Sequence, residues 1–150
     1  MILTLLAWFL PLAHALSPIE DNSFFINEGY NQDTGVVQIV QGFQWAPIAQ
    51  DWSHVATVEI PIANEKHQLS VQSSLQHQGT ASTLVEFGDL FVSYQHWLVH
   101  GESVHLTPRI GLYFPTGSYA RSAGSGTIGV SAGTSFTVNF SEKLAHHWSL

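Results

Sequence analysis

Residues 125–140 read SGTIGVSAGTSFTVNF, and the alternation within them decides the fold class. From Ile128 onward every second residue is apolar or small, with Thr134 as the polar exception, and the residues between are tiny or polar. Because a β-strand points successive side chains to opposite faces, the stretch predicts a long strand with one apolar face. Its other face is polar and nearly bare.

The same period of two predicts five further strands, and no run of comparable length has the 3.6-residue period of a helix. These strands lie within residues 35–46, 52–62, 67–78, 87–100 and 104–114, and a seventh strand begins within 141–150. Several runs reach the roughly ten residues that a tilted membrane strand needs. We expect short turns at Asn64, Gly101 and Ser141, alternating with longer loops at 79–83 and 115–126.

Composition narrows the class of protein. Charged residues make up 10% of the 150 residues, against about 25% in an ordinary soluble domain. The net charge of -7, with 4 Lys and Arg in all, argues against a nucleic-acid partner, because phosphate binding needs clustered cations. Cysteine is absent from the sequence, which excludes disulfides and thiolate metal sites.

The first residues have the pattern of a secretory signal peptide. An apolar run at 3–12 precedes Ala13, His14 and Ala15, which form the small-x-small pattern of a cleavage site. The run is too short to span a bilayer as a helix, and a buried N-terminal helix is the alternative. We therefore divide the chain into a signal peptide at 1–15, an irregular segment at 16–35 and the N-terminal half of a β-barrel at 36–150.

The composition of the polar faces favours a membrane barrel over a soluble sandwich. A sandwich carries charged side chains on its outward face, whereas the polar faces here carry Gln, Ser, Thr and Gly. In a transmembrane barrel the apolar face meets lipid and the polar face lines a lumen. We therefore predict an all-β, antiparallel up-and-down transmembrane β-barrel in the bacterial outer membrane. A secreted or periplasmic β-sandwich binding protein is the alternative.

The predicted barrel is incomplete. Six or seven strands are fewer than the roughly eight of the smallest closed outer-membrane barrels, so we interpret the chain as an N-terminal fragment. Aromatic residues near the predicted strand ends would suit the girdles at the two membrane interfaces, with ordinary core packing as the alternative. They are Trp45, Trp52, Trp97, Tyr113, Phe114, Phe140 and Trp148.

Four charged residues are candidates for lining the lumen: Arg109, Asp89, Glu59 and Glu28. An Arg on the lipid face near the bilayer midplane costs about 2–4 kcal/mol, so Arg109 is expected to point inward. We expect it to pair with Asp89 or Glu28. Such a pair would fix the shape of the barrel, and a selectivity filter is the alternative interpretation.

Two stretches resemble a known family. Residues 24–38 contain a Glu-x-Tyr-Asn-Gln block, and residues 87–119 contain Gly-Asp followed by Pro-Arg-x-x-Leu-x-x-Pro-Thr-Gly-x-Tyr. Both are similar to the phenol-degradation meta-pathway-like outer-membrane proteins of Gram-negative bacteria. The matching residues are Glu28, Tyr30, Asn31, Gln32, Gly88, Asp89, Pro108, Arg109, Leu112, Pro115, Thr116, Gly117 and Tyr119. The resemblance implies a porin-like barrel that moves small hydrophobic or aromatic compounds across the outer membrane.

No enzyme activity, cofactor or metal is predicted. The sequence has no Gly-x-Ser-x-Gly elbow, which disfavours a third hypothesis, an outer-membrane acyl hydrolase or transferase. His96 and His100 would lie about 13 Å apart on an extended strand, too far to share an ion. The expected partners are outer-membrane lipid and a small hydrophobic or aromatic solute.

Overall fold

The computed structural model describes residues 29–79, 84–141 and 144–150. The predicted signal peptide and Glu28 lie outside the described residues. The alternating runs form strands β1 Gln38–Ala46, β2 Asp51–Ile62, β3 Asn64–His77, β4 Val85–Phe87, β5 Leu90–His96, β6 Val99–His100, β7 Val104–Phe114, β8 Gly129–Ser141 and β9 Leu144–Ser149. One 3₁₀ turn lies at Tyr119–Arg121, and the described ranges contain no α-helix.

All these strands belong to one antiparallel sheet that is curled into a half-barrel. The main path runs β1-β2-β3-β5-β7-β8-β9, while β4 pairs with β3 and β6 pairs with β7. Successive strands of the path pair with each other, which confirms the all-β antiparallel fold. The path has seven strands, as predicted, and β4 and β6 are two short additional strands, so the strand expected at 87–100 is divided into β5 and β6. The half-barrel thus has β1 and β9 at its two edges.

The connections between long strands differ in length at the two ends of the sheet. At one end, here called the turn end, Ala63 joins β2 to β3, β9 begins three residues after β8 ends, and residues 97–103, which include β6, join β5 to β7. At the other, the loop end, residues 47–50, 78–89 (with β4) and 115–128 lie between the long strands and are on the whole longer. The Ala63 turn has a left-handed φ of 65° and lies one residue before the turn expected at Asn64.

The two faces of the sheet have the reverse of the polarity found in a soluble domain. The buried side chains are mainly polar, and the most completely buried are Gln68, Thr107 and Thr137. The apolar side chains point the other way and are exposed, with Val130 at 72% and Ile110 at 55%. Since buried residues are normally apolar, this inversion is the most informative feature of the fold.

Charged residues are almost absent from the exposed apolar face. The strand register places Ile39, Val58, Val71 and Val92 on this face, which we call the outer face. Across β1 to β9, the outward positions of the described strands hold no Asp, Glu, Lys or Arg except Glu65, which lies two residues after the Ala63 turn. The outer face is therefore nearly uncharged and mainly apolar, with uncharged polar residues such as Gln41, His54 and Ser73 among its positions.

Two of the aromatic residues expected in interfacial girdles lie elsewhere. Trp97 is buried, and its ring meets the edge of Tyr30 on the inner side of the sheet at 6.1 Å. Tyr113 also faces inward and stacks on Phe91 at 4.2 Å. For these two residues the alternative interpretation, packing inside the sheet, holds because each occupies an inward position.

The bare face of the opening stretch also has a physical reason. Gly129 of β8 pairs with Tyr113 of β7, and a Cβ on Gly129 would lie 3.4 Å from the Tyr113 side chain. That distance is ordinary contact, so a small side chain would fit at Gly129. At Gly133, by contrast, a Cβ would lie 2.5 Å from the carbonyl oxygen of Leu150, so the close backbone approach requires the bare residue there.

Candidate functional site

Most of the buried polar side chains among the described residues lie on the inner face of the half-barrel. Strands β3, β5, β7 and β8 each contribute two buried polar side chains there: Gln68, Ser70, Ser93, Gln95, His105, Thr107, Ser135 and Thr137. Their alternation with outward apolar residues is the direct result of the period of two in the sequence. Buried polar groups need hydrogen-bond partners, and a short segment of the chain supplies several of them.

Residues 29–32, here called the crossing segment, run over the inner face. The Gly29 N–H donates to Thr137 Oγ1 at 3.0 Å, and Thr107 Oγ1 donates to the Gly29 carbonyl at 2.7 Å. A Cβ on Gly29 would lie 3.0 Å from Thr137 Oγ1 and 3.1 Å from the carbonyl oxygen of His105. The backbone therefore approaches β7 and β8 more closely than a residue with a side chain could without displacement.

Asn31 and Gln32 bond the crossing segment to β3 and β5. The Gln95 side-chain amide donates to Asn31 Oδ1 at 2.7 Å, and Asn31 Nδ2 donates to the Glu65 carbonyl at 2.8 Å. The Gln32 N–H donates to Gln68 Oε1 at 2.7 Å.

The Gln32 side chain reaches the far edge of the sheet. Its amide nitrogen donates to Gln38 Oε1 on β1 and lies 3.4 Å from Glu59 Oε2 on β2. The crossing segment is thus bonded to β1, β2, β3, β5, β7 and β8.

Tyr30 anchors the same segment in a cluster of rings near the turn end. Its hydroxyl donates to Asn139 Oδ1 at 2.9 Å, and its ring centroid lies 4.4 Å from that of His105. Trp97 and His147 complete the cluster, with centroids 6.1 and 6.2 Å from Tyr30. Aromatic pairs at such distances add packing energy to the hydrogen bonds.

Arg109 lies on the inner face, and one of its two expected partners, Glu28, lies outside the described residues. Among the described residues, Arg109 interacts electrostatically with Glu59, across the interior. The expected Asp89–Arg109 pair does not form. Arg109 pairs with Gln95, so β5 places Asp89 six residues, about 20 Å, farther toward the loop end. The guanidinium carbon of Arg109 lies 5.3 Å from the Phe91 ring centroid, within the range of a cation–π contact.

Asp89 instead holds the long loop between β7 and β8. Its Oδ1 accepts the Gly117 N–H at 3.0 Å, and its Oδ2 accepts the Ser125 N–H at 2.7 Å. The hydrogen bonds from Ser125, and then that from the Gly117 N–H, lower the pKa of the Asp89 carboxyl below its ordinary value. This carboxylate therefore holds two parts of the loop together, and it also lines the cavity on the inner face.

The Gly-Asp pair and the Pro-Thr-Gly-x-Tyr block, both within residues 87–119, meet at this loop. Thr116 Oγ1 donates to the Gly88 carbonyl at 3.2 Å and accepts the Leu90 N–H at 2.9 Å. Arg121 and Glu86 form a salt bridge of 2.6 Å nearby. The spacing of the motifs in the sequence gives no sign of this contact, because it depends on the pairing of β5 with β7.

We expect Asp89→Asn to release the long loop. An amide has one acceptor oxygen where the carboxylate has two, so one of the N–H groups of Gly117 and Ser125 loses its partner. Limited proteolysis should then cut residues 115–126 severalfold faster than in the parent protein, with the strands still intact. Glu86→Gln is the matched control and should change the rate little, because exposed ion pairs contribute little stability.

Lowering the pH should release the loop in the same way as Asp89→Asn. Because the pKa of Asp89 is lower in the folded loop, protonation favours the released loop. The attachment is complete above the ordinary Asp pKa of about 3.9 and is lost as the pH falls through the lowered value. Cleavage that stays unchanged in Asp89→Asn at neutral pH would contradict this role.

A cavity of about 410 Å³ lies on the inner face toward the loop end. Its walls combine the Phe91–Tyr113 stack with uncharged polar side chains and Asp89. The polar walls are Gln72, Ser74, Ser125 and Thr127. The volume falls within the roughly 300–1,000 Å³ of small-molecule sites.

The remaining motif residues take separate places. Pro108 points outward on β7 opposite Thr134, and Pro115 follows the end of that strand. Tyr119 is exposed in the 3₁₀ turn.

Sequence reasoning placed Glu59 and Arg109 inward but missed Phe91 and the interior position of the crossing segment. The only feature of the sequence that pointed to Phe91 is that its apolar side chain interrupts the alternation of its strand.

Groups of three or more His, Asp or Glu side chains that could hold a metal ion are absent from residues 29–79, 84–141 and 144–150. In those same ranges, no helix is long and apolar enough to cross a membrane. Comparisons of the chain with protein-family models, curated proteins and solved structures found no match.

Proposed function

We propose that this chain forms part of a bacterial outer-membrane β-barrel that lets small hydrophobic or aromatic compounds cross the membrane. The observation that carries the proposal is the inverted polarity of the sheet. Exposed apolar side chains such as Ile110 and Val130 need an apolar surrounding, and lipid supplies one. The buried amides and hydroxyls of the inner face fit a polar lumen.

The backbone hydrogen bonding of the sheet also supports a lipid environment. Every backbone group that faces lipid needs a partner, and an antiparallel sheet supplies partners along all its inner strands. β1 and β9 are the edges of the described sheet, so the proposed barrel requires further strands to pair with them. We infer that a longer protein provides these strands.

The cavity supports the proposed class of solute. Phe91 and Tyr113 give it an aromatic wall, and the surrounding amide and hydroxyl groups can bind a polar substituent. Small-molecule sites commonly combine an apolar lining with a few polar groups. The resemblance of residues 24–38 and 87–119 to the phenol-degradation meta-pathway-like proteins agrees with this class.

Cell fractionation tests the membrane location. The protein, expressed with its downstream strands in a Gram-negative host, should sediment with the outer membrane and require detergent for extraction. Its mobility on a gel should change on heating, as expected for a closed barrel, and planar bilayers should show conductance. Recovery of a soluble protein from the periplasm would refute the proposal and favour the β-sandwich alternative.

A further inference from the structure

We propose that the crossing segment, residues 29–32, is the constriction of the interior and sets the upper size of the uncharged solutes that pass. This inference rests on the proposed channel function. It goes further because it names the element that limits passage and the chemical character of the solutes it admits.

The position of the segment supports a constriction. Its bonds reach from Thr137 on β8 to Gln38 on β1, so it extends across the whole width of the inner face that the strands enclose. The cavity lies on its loop-end side, lined by Gln72 and Phe91. A solute that leaves this cavity toward the turn end along the inner face of these strands meets the crossing segment.

The number and quality of the bonds indicate a fixed element. Gly29 is held on both its N–H and its carbonyl, by hydroxyls that are 0% and 1% exposed. Asn31 uses both ends of its amide, toward Gln95 and Glu65. Groups bonded in this way in a site of low dielectric lose their partners only at substantial cost.

The chemistry around the segment favours uncharged solutes. Its neighbours are amides and hydroxyls, which bind polar but neutral groups. Glu59 on β2 and Arg109 on β7 face the same interior, have opposite signs and interact electrostatically. Their charges offset each other, so amides and hydroxyls are the main groups that a solute meets on these strands.

Liposome swelling with uncharged sugars of increasing size tests the inference. The probes are glucose, sucrose and raffinose, and the protein is the full-length chain in reconstituted vesicles. Asn31→Ala/Gln32→Ala shortens the two side chains of the constriction and alters no strand. It should raise the swelling rate with the larger sugars by about twofold or more.

The matched control is Asp33→Ala/Thr34→Ala, which places the same two substitutions in the exposed turn that follows. It should keep the size limit of the parent protein. Equal limits for all three proteins, with glucose entering normally, would overturn the constriction and leave the channel function intact. If no protein admits any sugar, both proposals fail. If only the Asn31→Ala/Gln32→Ala protein admits sugars, the segment blocks the parent barrel and the inference stands.

A second measurement does not depend on the folding of the double variant. The chain has no cysteine, so Asn31→Cys and Asp33→Cys each carry a single thiol. Attachment of a bulky thiol reagent at position 31 should lower the glucose rate by about twofold or more, because the group fills the constriction. The same reagent at position 33 should have no effect. Equal rates before and after labelling at position 31 would refute the inference.

Discussion

Ile110→Arg is expected to destabilise the protein by about 2–4 kcal/mol in a membrane and to reduce its amount in the outer membrane. Ile110 lies near the middle of β7, on the outer face, and its side chain is 55% exposed. In water, a substitution at so exposed a position typically changes stability by less than about 0.5 kcal/mol. The large expected effect arises because lipid, unlike water, cannot solvate a guanidinium. Urea unfolding of the protein in lipid vesicles measures the difference.

Leu98→Arg provides the matched control. Leu98 is exposed to a similar extent but follows the end of β5 at the turn end of the sheet, where the membrane surface is expected. The cost of a charge there falls to about 0–1 kcal/mol. Small and equal effects at both positions would mean that water surrounds the outer face, which contradicts a membrane location and favours the β-sandwich alternative.

The fold could be predicted from the sequence because its signal is local. In strands such as β3 and β8, alternating side chains specify both the strand and its two faces, and no long-range information is needed. The inward positions of Glu59 and Arg109 follow from the same parity. That parity also places Tyr113 inward, so its assignment to a girdle went against the rule that succeeded elsewhere.

The arrangement of the interior could not be predicted because it depends on contacts between distant parts of the chain. Gly29 meets Thr137 across 108 residues, and Asp89 meets Ser125 across 36. The expected pair of Arg109 with Asp89 was wrong for the same reason, since only the register of β5 with β7 shows how far apart the two residues are. Residues 29–32 have no period of their own, so their crossing of the inner face has no local signal.

Phe91→Ala is expected to cost about 3 kcal/mol of unfolding free energy, the lower end of the range for a buried aromatic residue. The Phe91 ring is 5% exposed and stacks on Tyr113, and it lies against the backbone of Gly111. The cost should stay at the low end because the neighbouring cavity is polar enough to admit water. Urea unfolding in detergent micelles, followed by tryptophan fluorescence, measures it.

The contact with Gly111 makes this prediction specific. A Cβ on Gly111 would lie 2.4 Å from the Phe91 ring, so Gly111→Ala must displace the ring and should cost about 1–3 kcal/mol. In the Phe91→Ala background the same change should cost nearly nothing, because the ring is gone. Gly129→Ala is the matched control: its Cβ would lie at an ordinary 3.4 Å from Tyr113, so it should be neutral. Strict additivity of Phe91→Ala and Gly111→Ala would show that the two residues do not touch, since only contacting residues couple in this way.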